Sequence, residues 1–474
     1  VTAPATDLPV ARLTEHPLQR SGTRSLLCLA GRDEVGALTT ADLDRVAARI
    51  VADVVRAATA SPGSGGYDWW KVLFALYPNA KPTHAKRDRD PDRLHEQVSA
   101  LFVADGDAAD LLPCAFCGAP SGAVWAKSTL PMFDSPRALN TLPPDLGGWP
   151  VCRACRLAMW ALPYGAWVTA GSATVLTCDD GEVERAFVAR NVLRSARARQ
   201  AGFQDLPAGA GPEAVAVRML REHAQDHLAA TTLWMFKNDN QEPWLRVMST
   251  RTGVARFLQR MSADRACADG WNDLRRVLVR RDASGAVTTS GTTAAARTLF
   301  DFELVPGDRL LRELRNRSTD PDKVPTRTLW RWRALFSLYM EVMYEVTTKP
   351  LEPAAHLLAR WIAAESSRGR FNEYRQAAGS AYPLHKLLMT AHARLLLDGA
   401  ETPEMSPGVA AVLPELIADG PKGWRLRAQL YFEVATQLNR LGVAIGKESA
   451  DDDPADDAPT RFDDPLSDDS DEDA

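Results

Sequence analysis

The sequence predicts an α+β protein, predominantly helical, in which a mixed N-terminal domain and a cysteine-bearing lobe precede a C-terminal helical bundle. Three observations predict it. Apolar residues recur at spacings of three and four over residues 43–54, and again from about 327 to 446, the period of helices with one buried face. Residues 111–170 are instead rich in Pro, Gly and Trp, show little helical period and hold four of the seven cysteines. The composition, 45% hydrophobic and 25% charged, is that of a folded chain and excludes wholesale disorder.

At 474 residues the chain has room for about two to four domains of roughly 100–200 residues each. We expect a mixed α/β part over 1–105, a cysteine lobe over 106–170 and an α+β segment over 171–326. A helical bundle over 327–447 and an acidic tail over 448–474 follow. In the first part, Thr39-Thr40-Ala41-Asp42 has the composition of a helix start. Leu43, Val46, Ala47, Ile50 and Val54 then form one apolar face, and the Ser/Pro/Gly run 61–66 ends it. Trp69 to Tyr77 is a second apolar element, and 81–93 reads as a charged loop. Helical pattern returns from Val183 to about Leu220. Residues 274–302 read as a hairpin, with Val277 and Val279 alternating with Arg276 and Arg280 around an Asp282–Gly285 turn. In the bundle, Trp332, Leu335, Phe336, Tyr339, Met343 and Val346 share one helical face, and Leu426, Leu430, Val434, Leu438 and Leu441 another.

Charge is unevenly placed. The formal net charge is −5, which taken whole speaks against nucleic-acid binding. Residues 450–474, however, hold twelve acids and one base, a net of −11, so the remaining chain carries 55 bases and 49 acids, a net of +6. The tail has the composition of a disordered segment. It reads as a solubilising tail or as a mimic competing for a basic groove. The stretch up to Arg20 has Asp7, Glu15, three prolines and no apolar run, which does not suit a signal peptide. No segment approaches the roughly 20 apolar residues of a membrane span. We expect a cytoplasmic protein with no membrane partner.

One motif carries strong chemistry. Cys114-Ala115-Phe116-Cys117-Gly118 and Cys152-Arg153-Ala154-Cys155 form two CxxC pairs, 34 residues apart. Zinc takes four tetrahedral ligands, and four thiolates saturate it without an open position, which makes the ion structural rather than catalytic. A two-residue spacer lets one tight turn aim both sulfurs at one metal, and the glycine after the first pair suits positive φ. Two such knuckles would close a four-cysteine zinc-ribbon or treble-clef-like lobe holding one Zn2+. A lost or vestigial site and a redox pair are the weaker alternatives, and seven cysteines are too few for a disulfide scaffold. Cys28, Cys178 and Cys267 lie alone and read as core residues.

The other constellations are weak. His223 and His227 sit one helical turn apart, but Ala224 stands where a zincin needs glutamate. There is no GxxxxGK[ST] loop, GxSxG elbow or GxGxxG turn, and no catalytic residue is assigned. Basic and aromatic residues fit nucleic acid better. Lys127, Arg137, Asn140, Arg153 and Arg156 lie in the lobe with Trp125 and Trp149. Arg and Lys bind phosphates, while Arg and Asn also read base edges. Arg190, Arg194 and Arg197 recur at helical spacing and would align three guanidinium groups on one face. Candidate nucleic-acid contacts are therefore Lys127, Arg137, Asn140, Arg190, Arg194 and Arg197.

The two CxxC pairs, Phe133 to Asn140 between them, Pro163-Tyr164-Gly165 after them and Trp70 to Asn79 before them carry a family resemblance. The chain resembles the large subunit of type I CRISPR interference (Cascade) complexes, in the CXXC–CXXC subclass similar to types I-B and I-A. The resemblance spans about residues 35–445, and its specific part is the cysteine lobe. It implies a non-catalytic subunit of an antiviral, RNA-guided complex that senses a protospacer-adjacent motif (PAM) in double-stranded DNA. Implied partners are CRISPR RNA, target DNA, the backbone and handle-binding subunits, a small subunit and a recruited helicase-nuclease. It implies zinc ligation by Cys114, Cys117, Cys152 and Cys155, and transfers no motif-sensing residue. Two other readings stay open: a zinc-ribbon scaffold without direct DNA contact, and a metal-dependent nuclease.

Overall fold

The structure is a computed structural model. It describes residues 10–106, 111–126, 128–131, 147–169, 171–203, 210–223, 228–237, 243–302, 307–319, 324–346, 349–365, 369–399 and 413–443. The described residues divide into two compact units, those within 10–252 with 302, and those within 253–301 with 307–443. The main division falls inside the segment 171–326. No described helix is long and apolar enough to cross a membrane.

The first unit opens on α1 (Pro17–Ala30), α2 (Thr40–Thr59), α3 (Gly65–Leu76) and α4 (Pro91–Ser99). The helix start read at residue 39 is a full capping box. Thr39 accepts from the Asp42 amide, and Asp42 accepts from the Thr39 amide, which satisfies two backbone donors of the first turn. The Leu43, Val46, Ala47, Ile50 and Val54 face is buried as its period requires. Asp90 caps α4, so the charged loop ends there rather than at 93. Helix α1 has no apolar stripe to announce it. Its buried set includes Gln19, Ser21, Gly22, Thr23 and Ser25 beside Leu26 and Leu27, because it is enclosed on several sides.

Four short strands follow: β1 (Leu112–Pro113), β2 (Pro120–Ser121), β3 (Val124–Trp125) and β4 (Trp149–Pro150). β1 pairs with β2 and β3 with β4, both antiparallel. Next come α5 (Arg153–Gly165), β5 (Trp167–Val168), β6 (Ala173–Cys178), α6 (Gly181–Ala201), α7 (Pro212–His223), β7 (Thr231–Lys237) and β8 (Trp244–Thr250). The strands β5, β6, β7 and β8 pair in that order, each antiparallel to the next.

Helices α1 and α5 form the centre of this unit. A Cβ on Gly22 would lie 2.2 Å from the Ala158 carbonyl oxygen, and one on Gly165 2.2 Å from Ser25 Oγ. Only glycine lets the two backbones approach so closely. Trp160 of α5 is fully buried and stacks on Tyr77 at 4.4 Å between ring centroids. The Tyr77 hydroxyl donates to the Met159 carbonyl, so a buried phenol meets a backbone acceptor. Glu184, 2% exposed, accepts from Arg20 at 2.7 Å, Arg24 at 3.3 Å and the Cys178 amide at 3.1 Å. That set ties α1, β6 and α6 together and gives the buried carboxylate its partners.

The second unit contains α8 (Val254–Ala263), α9 (Arg265–Val277), β9 (Arg280–Arg281), β10 (Val287–Thr289), α10 (Gly291–Arg297), α11 (Arg309–Ser318) and α12 (Thr326–Tyr344). After these come α13 (Glu352–Ala363), α14 (Gly369–Ala377), α15 (Ala381–Leu397) and α16 (Pro421–Arg440). The hairpin expected over 274–302 is shorter: Val277 ends α9, and only 280–289 form the ribbon. The alternation of Arg276 to Arg280 reflected a helix end joined to a strand. The bundle follows its period for most of each face: Trp332, Leu335, Phe336 and Tyr339 are buried on α12, and Leu426, Leu430, Val434 and Leu438 on α16. Met343 is only half-buried, and Val346 and the exposed Leu441 lie beyond the helix ends. Arg333 grips Glu433 through two bonds of 3.1 Å, and Phe336 packs on Phe432 at 5.0 Å.

Candidate metal centre

The four cysteines of the two CxxC pairs meet in space. Their sulfur atoms all lie within 4.8 Å of one another, and Cys117 Sγ is 3.5 Å from Cys152 Sγ. Zinc–sulfur bonds of about 2.3 Å at tetrahedral angles place sulfurs about 3.8 Å apart, so a small contraction converts this cluster into a coordination shell. Cys114, Cys152 and Cys155 are buried and Cys117 is partly exposed, and four sulfurs would fill a tetrahedral shell. The donor set is all sulfur, which suits a soft or borderline ion.

Local backbone makes the site. Cys114 and Cys117 lie in the turn joining β1 to β2. The Cys114 amide donates to Ala119 O at 2.7 Å, and the Gly118 amide to Cys114 O at 2.9 Å. Gly118 sits at φ 74°, in the left-handed region where a Cβ is unfavourable. The first pair is therefore the knuckle its spacing predicts.

The second pair is not a second knuckle. Cys152 is the N-cap of α5, and Cys155 lies in its first turn. The peptide dipoles of a helix N-terminus favour negative charge, so this end of α5 is suited to thiolates. The lobe thus combines a hairpin knuckle with a helix N-terminus, the treble-clef-like form rather than a ribbon of two knuckles. Without a metal the sulfurs share their charge unevenly. Hydrogen bonds from Cys117, Cys152 and Cys155 hold Cys114 far below the usual thiol range, while Cys114 pushes Cys152 and Cys155 up. A bound cation would let all four sulfurs ionise together, since metal binding to thiols releases their protons.

Several supporting residues were not legible in the sequence. Gln19 Nε2 donates to Cys155 Sγ at 3.5 Å, and Arg12 Nη1 donates to Cys117 O at 3.3 Å. Asp105 accepts from the Arg153 amide at 2.7 Å and from Arg156 Nη2 at 2.6 Å. Arg156, 2% exposed, also donates to the carbonyls of Leu101 and Val103. These partners lie about 50 to 140 positions away in the chain, and no local spacing points to them. Cys178 and Cys267 are buried and Cys28 partly so; none joins the cluster.

The expected nucleic-acid residues fare differently. Lys127, Arg137 and Asn140, like Phe133 to Asn140 as a whole and His227, lie outside the described residues. Arg190 and Arg194 do not form an open cationic stripe with Arg197. The Arg194 guanidinium sits 4.0 Å from the Trp167 ring centroid and donates to Val168 O at 2.8 Å. That of Arg190 lies 5.7 Å from the same ring. Burial pulls both down to about 10, with Arg190 contributing at Arg194. The two dock α6 against β5, and only Arg197 is exposed. Arg153 is also engaged within the chain, donating to Phe102 O at 2.7 Å.

No protein-family model matches this chain, and no curated protein matches it either.

Proposed function

We propose that the chain is the non-catalytic large subunit of a type I CRISPR interference complex, with one structural Zn2+ on Cys114, Cys117, Cys152 and Cys155. In this reading it senses the protospacer-adjacent motif, binds target double-stranded DNA and supports recruitment of the helicase-nuclease, in the cytoplasm. CRISPR RNA, the backbone and handle-binding subunits and a small subunit are its partners. One observation carries the reading: of the segments bearing the resemblance, those within the described residues, Trp70 to Asn79, the two CxxC pairs and Pro163 to Gly165, pack into one core. Tyr77, from the stretch before the first pair, stacks on Trp160 of the helix that begins at the second pair. Tyr164, from the segment after it, donates to Asp53 at 3.1 Å and packs on Trp69 at 5.2 Å. Segments scattered over nearly a hundred residues thus support one metal lobe.

A second reading has its own observation. Arg153, Arg156 and Arg194 use their guanidinium groups inside the chain, as a zinc-stabilised scaffold without DNA contact would. Affinity purification of the full chain, from cells making the neighbouring gene products and a guide RNA, separates the two. Guide RNA and backbone subunits purify with the chain if the first reading holds, and the assembled complex binds motif-bearing duplex. A complex that forms but binds DNA equally well without this chain establishes the scaffold. Recovery of the chain without RNA refutes the first reading.

A further inference from the structure

The positive excess of the chain has a definite location. Residues 251–333 hold seventeen bases against ten acids, a net of +7, and sixteen of the seventeen are arginine. Within this stretch, Arg275-Arg276-Val277-Leu278-Val279-Arg280-Arg281 contains four arginines and no acid. The structure separates these four into two roles.

Arg275 and Arg276 close the last turn of α9 and are anchored there. Arg275 Nε donates to Thr292 Oγ1 at 3.0 Å, and Arg276 pairs with Asp273 at 3.2 Å. Arg280 and Arg281 form β9 and are both exposed. Arg281 Nη1 donates to Gly285 O at 2.9 Å, and no carboxylate pairs with either arginine among the described residues. Successive residues of a strand point to opposite faces, so Arg280 and Arg281 leave β9 on opposite sides of the ribbon, beside a register shift at Val287/Thr289 and with Arg281 bending toward the turn. The single acid of the hairpin, Asp282, is used within the turn. Its Oδ1 accepts from Ser284 N at 2.8 Å, Ser284 Oγ at 2.6 Å and Ala286 N at 3.0 Å. These bonds hold its carboxyl below the usual range. The tip, Ala283-Ser284-Gly285-Ala286, is exposed and made of small residues, with Gly285 at φ 86°.

The base of the hairpin is rigid. A Cβ on Gly291 would lie 1.8 Å from the Arg275 carbonyl oxygen, so α10 begins pressed against α9. Ser290 caps α10 by accepting from the Thr293 amide at 3.2 Å. The ribbon is thus anchored at its base and exposes both arginines beyond it.

We propose that this hairpin is a sequence-independent contact for duplex nucleic acid, its tip in a groove and Arg280 and Arg281 on the phosphates of the two groove walls. Three features favour that partner. Arginine rather than lysine suits the bidentate geometry of phosphate. Cations on both faces match negative charge on both sides of the ribbon, which a groove presents and a flat headgroup plane does not. Small tip residues carry no bulk to obstruct entry and few groups to read bases, so the contact positions rather than specifies. The inference deepens the reading above by naming a DNA-facing surface.

The test uses the purified full chain and a DNA duplex of about 20 base pairs and arbitrary sequence, with fluorescence anisotropy over a range of salt. The variant R280S/R281S weakens binding roughly ten-fold or more, alike for all sequences, and makes the log–log salt slope shallower by about 2. A control variant, R49S/R89S, removes two exposed arginines of the first unit and keeps near wild-type affinity. Both variants melt like the wild type, since all four residues are exposed. Unchanged affinity in R280S/R281S overturns the inference, as does equal loss in the control, absence of duplex binding, or binding to anionic vesicles only. None of these results depends on guide RNA or partner subunits, so failure of the co-purification leaves this measurement standing, and the reverse.

Discussion

Cys152 is the residue on which the lobe turns, because it serves two structures at once. It is a sulfur of the cluster and the N-cap of α5. Serine is a favoured N-cap residue, so replacing Cys152 with it spares the helix start while removing one sulfur of four. The expected outcome is loss of bound metal, from about one zinc per chain to near none, with proteolytic opening of the 111–152 region; metal analysis and limited proteolysis check both. A C152S protein that retains stoichiometric zinc removes Cys152 from the ligand set. Arg156 illustrates how chemistry alone misleads at this scale. Its position in the lobe suited a phosphate contact, yet it is buried and its terminal nitrogens bind two carbonyls and Asp105. Buried cations are stable only with such partners, and those partners decide what an arginine is for.

The contact of α1 with α5 is the least obvious feature among the elements. Neither helix has a regular apolar stripe, and the interface uses Ser21, Gly22 and Ser25 against Ala158 and Gly165. An alanine at an exposed helical glycine stabilises by up to about 1 kcal/mol. At Gly22 the added Cβ meets the Ala158 carbonyl oxygen at 2.2 Å, and overpacking of this kind costs about 1–3 kcal/mol. The steric term exceeds the propensity gain, so Gly22→Ala destabilises the protein. Urea denaturation gives the sign; an increase in the midpoint would show that the helices can separate without loss. The metal lobe depends on this contact, since α5 carries two ligands and α1 supplies Gln19 beside Cys155.

Over the whole molecule, charge is partitioned rather than balanced. The tail from 450 to 474 contributes −11, and the stretch 251–333 contributes +7. Potentials from such blocks extend about a Debye length, roughly 10 Å at 0.1 M salt, and scale the encounter with any polyanion. Deleting 450–474 changes the net charge from −5 to +6. Duplex affinity should rise at low salt, and the gain should fade as salt is added. Anisotropy titrations of full-length and truncated chain measure this, and identical affinity at low salt excludes the tail as a competitor.

The sequence by itself determined the four cysteines that cluster, the helix start at 39–42 and most of the buried faces of two bundle helices. Each rests on spacing within a few residues, where backbone geometry links sequence directly to space. The pattern over 274–302 read as one long hairpin and did not single out the four arginines of 275–281. Only the tertiary structure decided that Arg275 and Arg276 are anchored on a helix while Arg280 and Arg281 stand exposed on a ribbon. It likewise decided that Arg190 and Arg194 serve Trp167, and that a polar, glycine-bearing α1 lies at a core. The physical reason is the same in each case. Ligand spacing and helical period are local properties of a chain, whereas burial and the partner of a charged group are set by residues distant in sequence that only folding brings near.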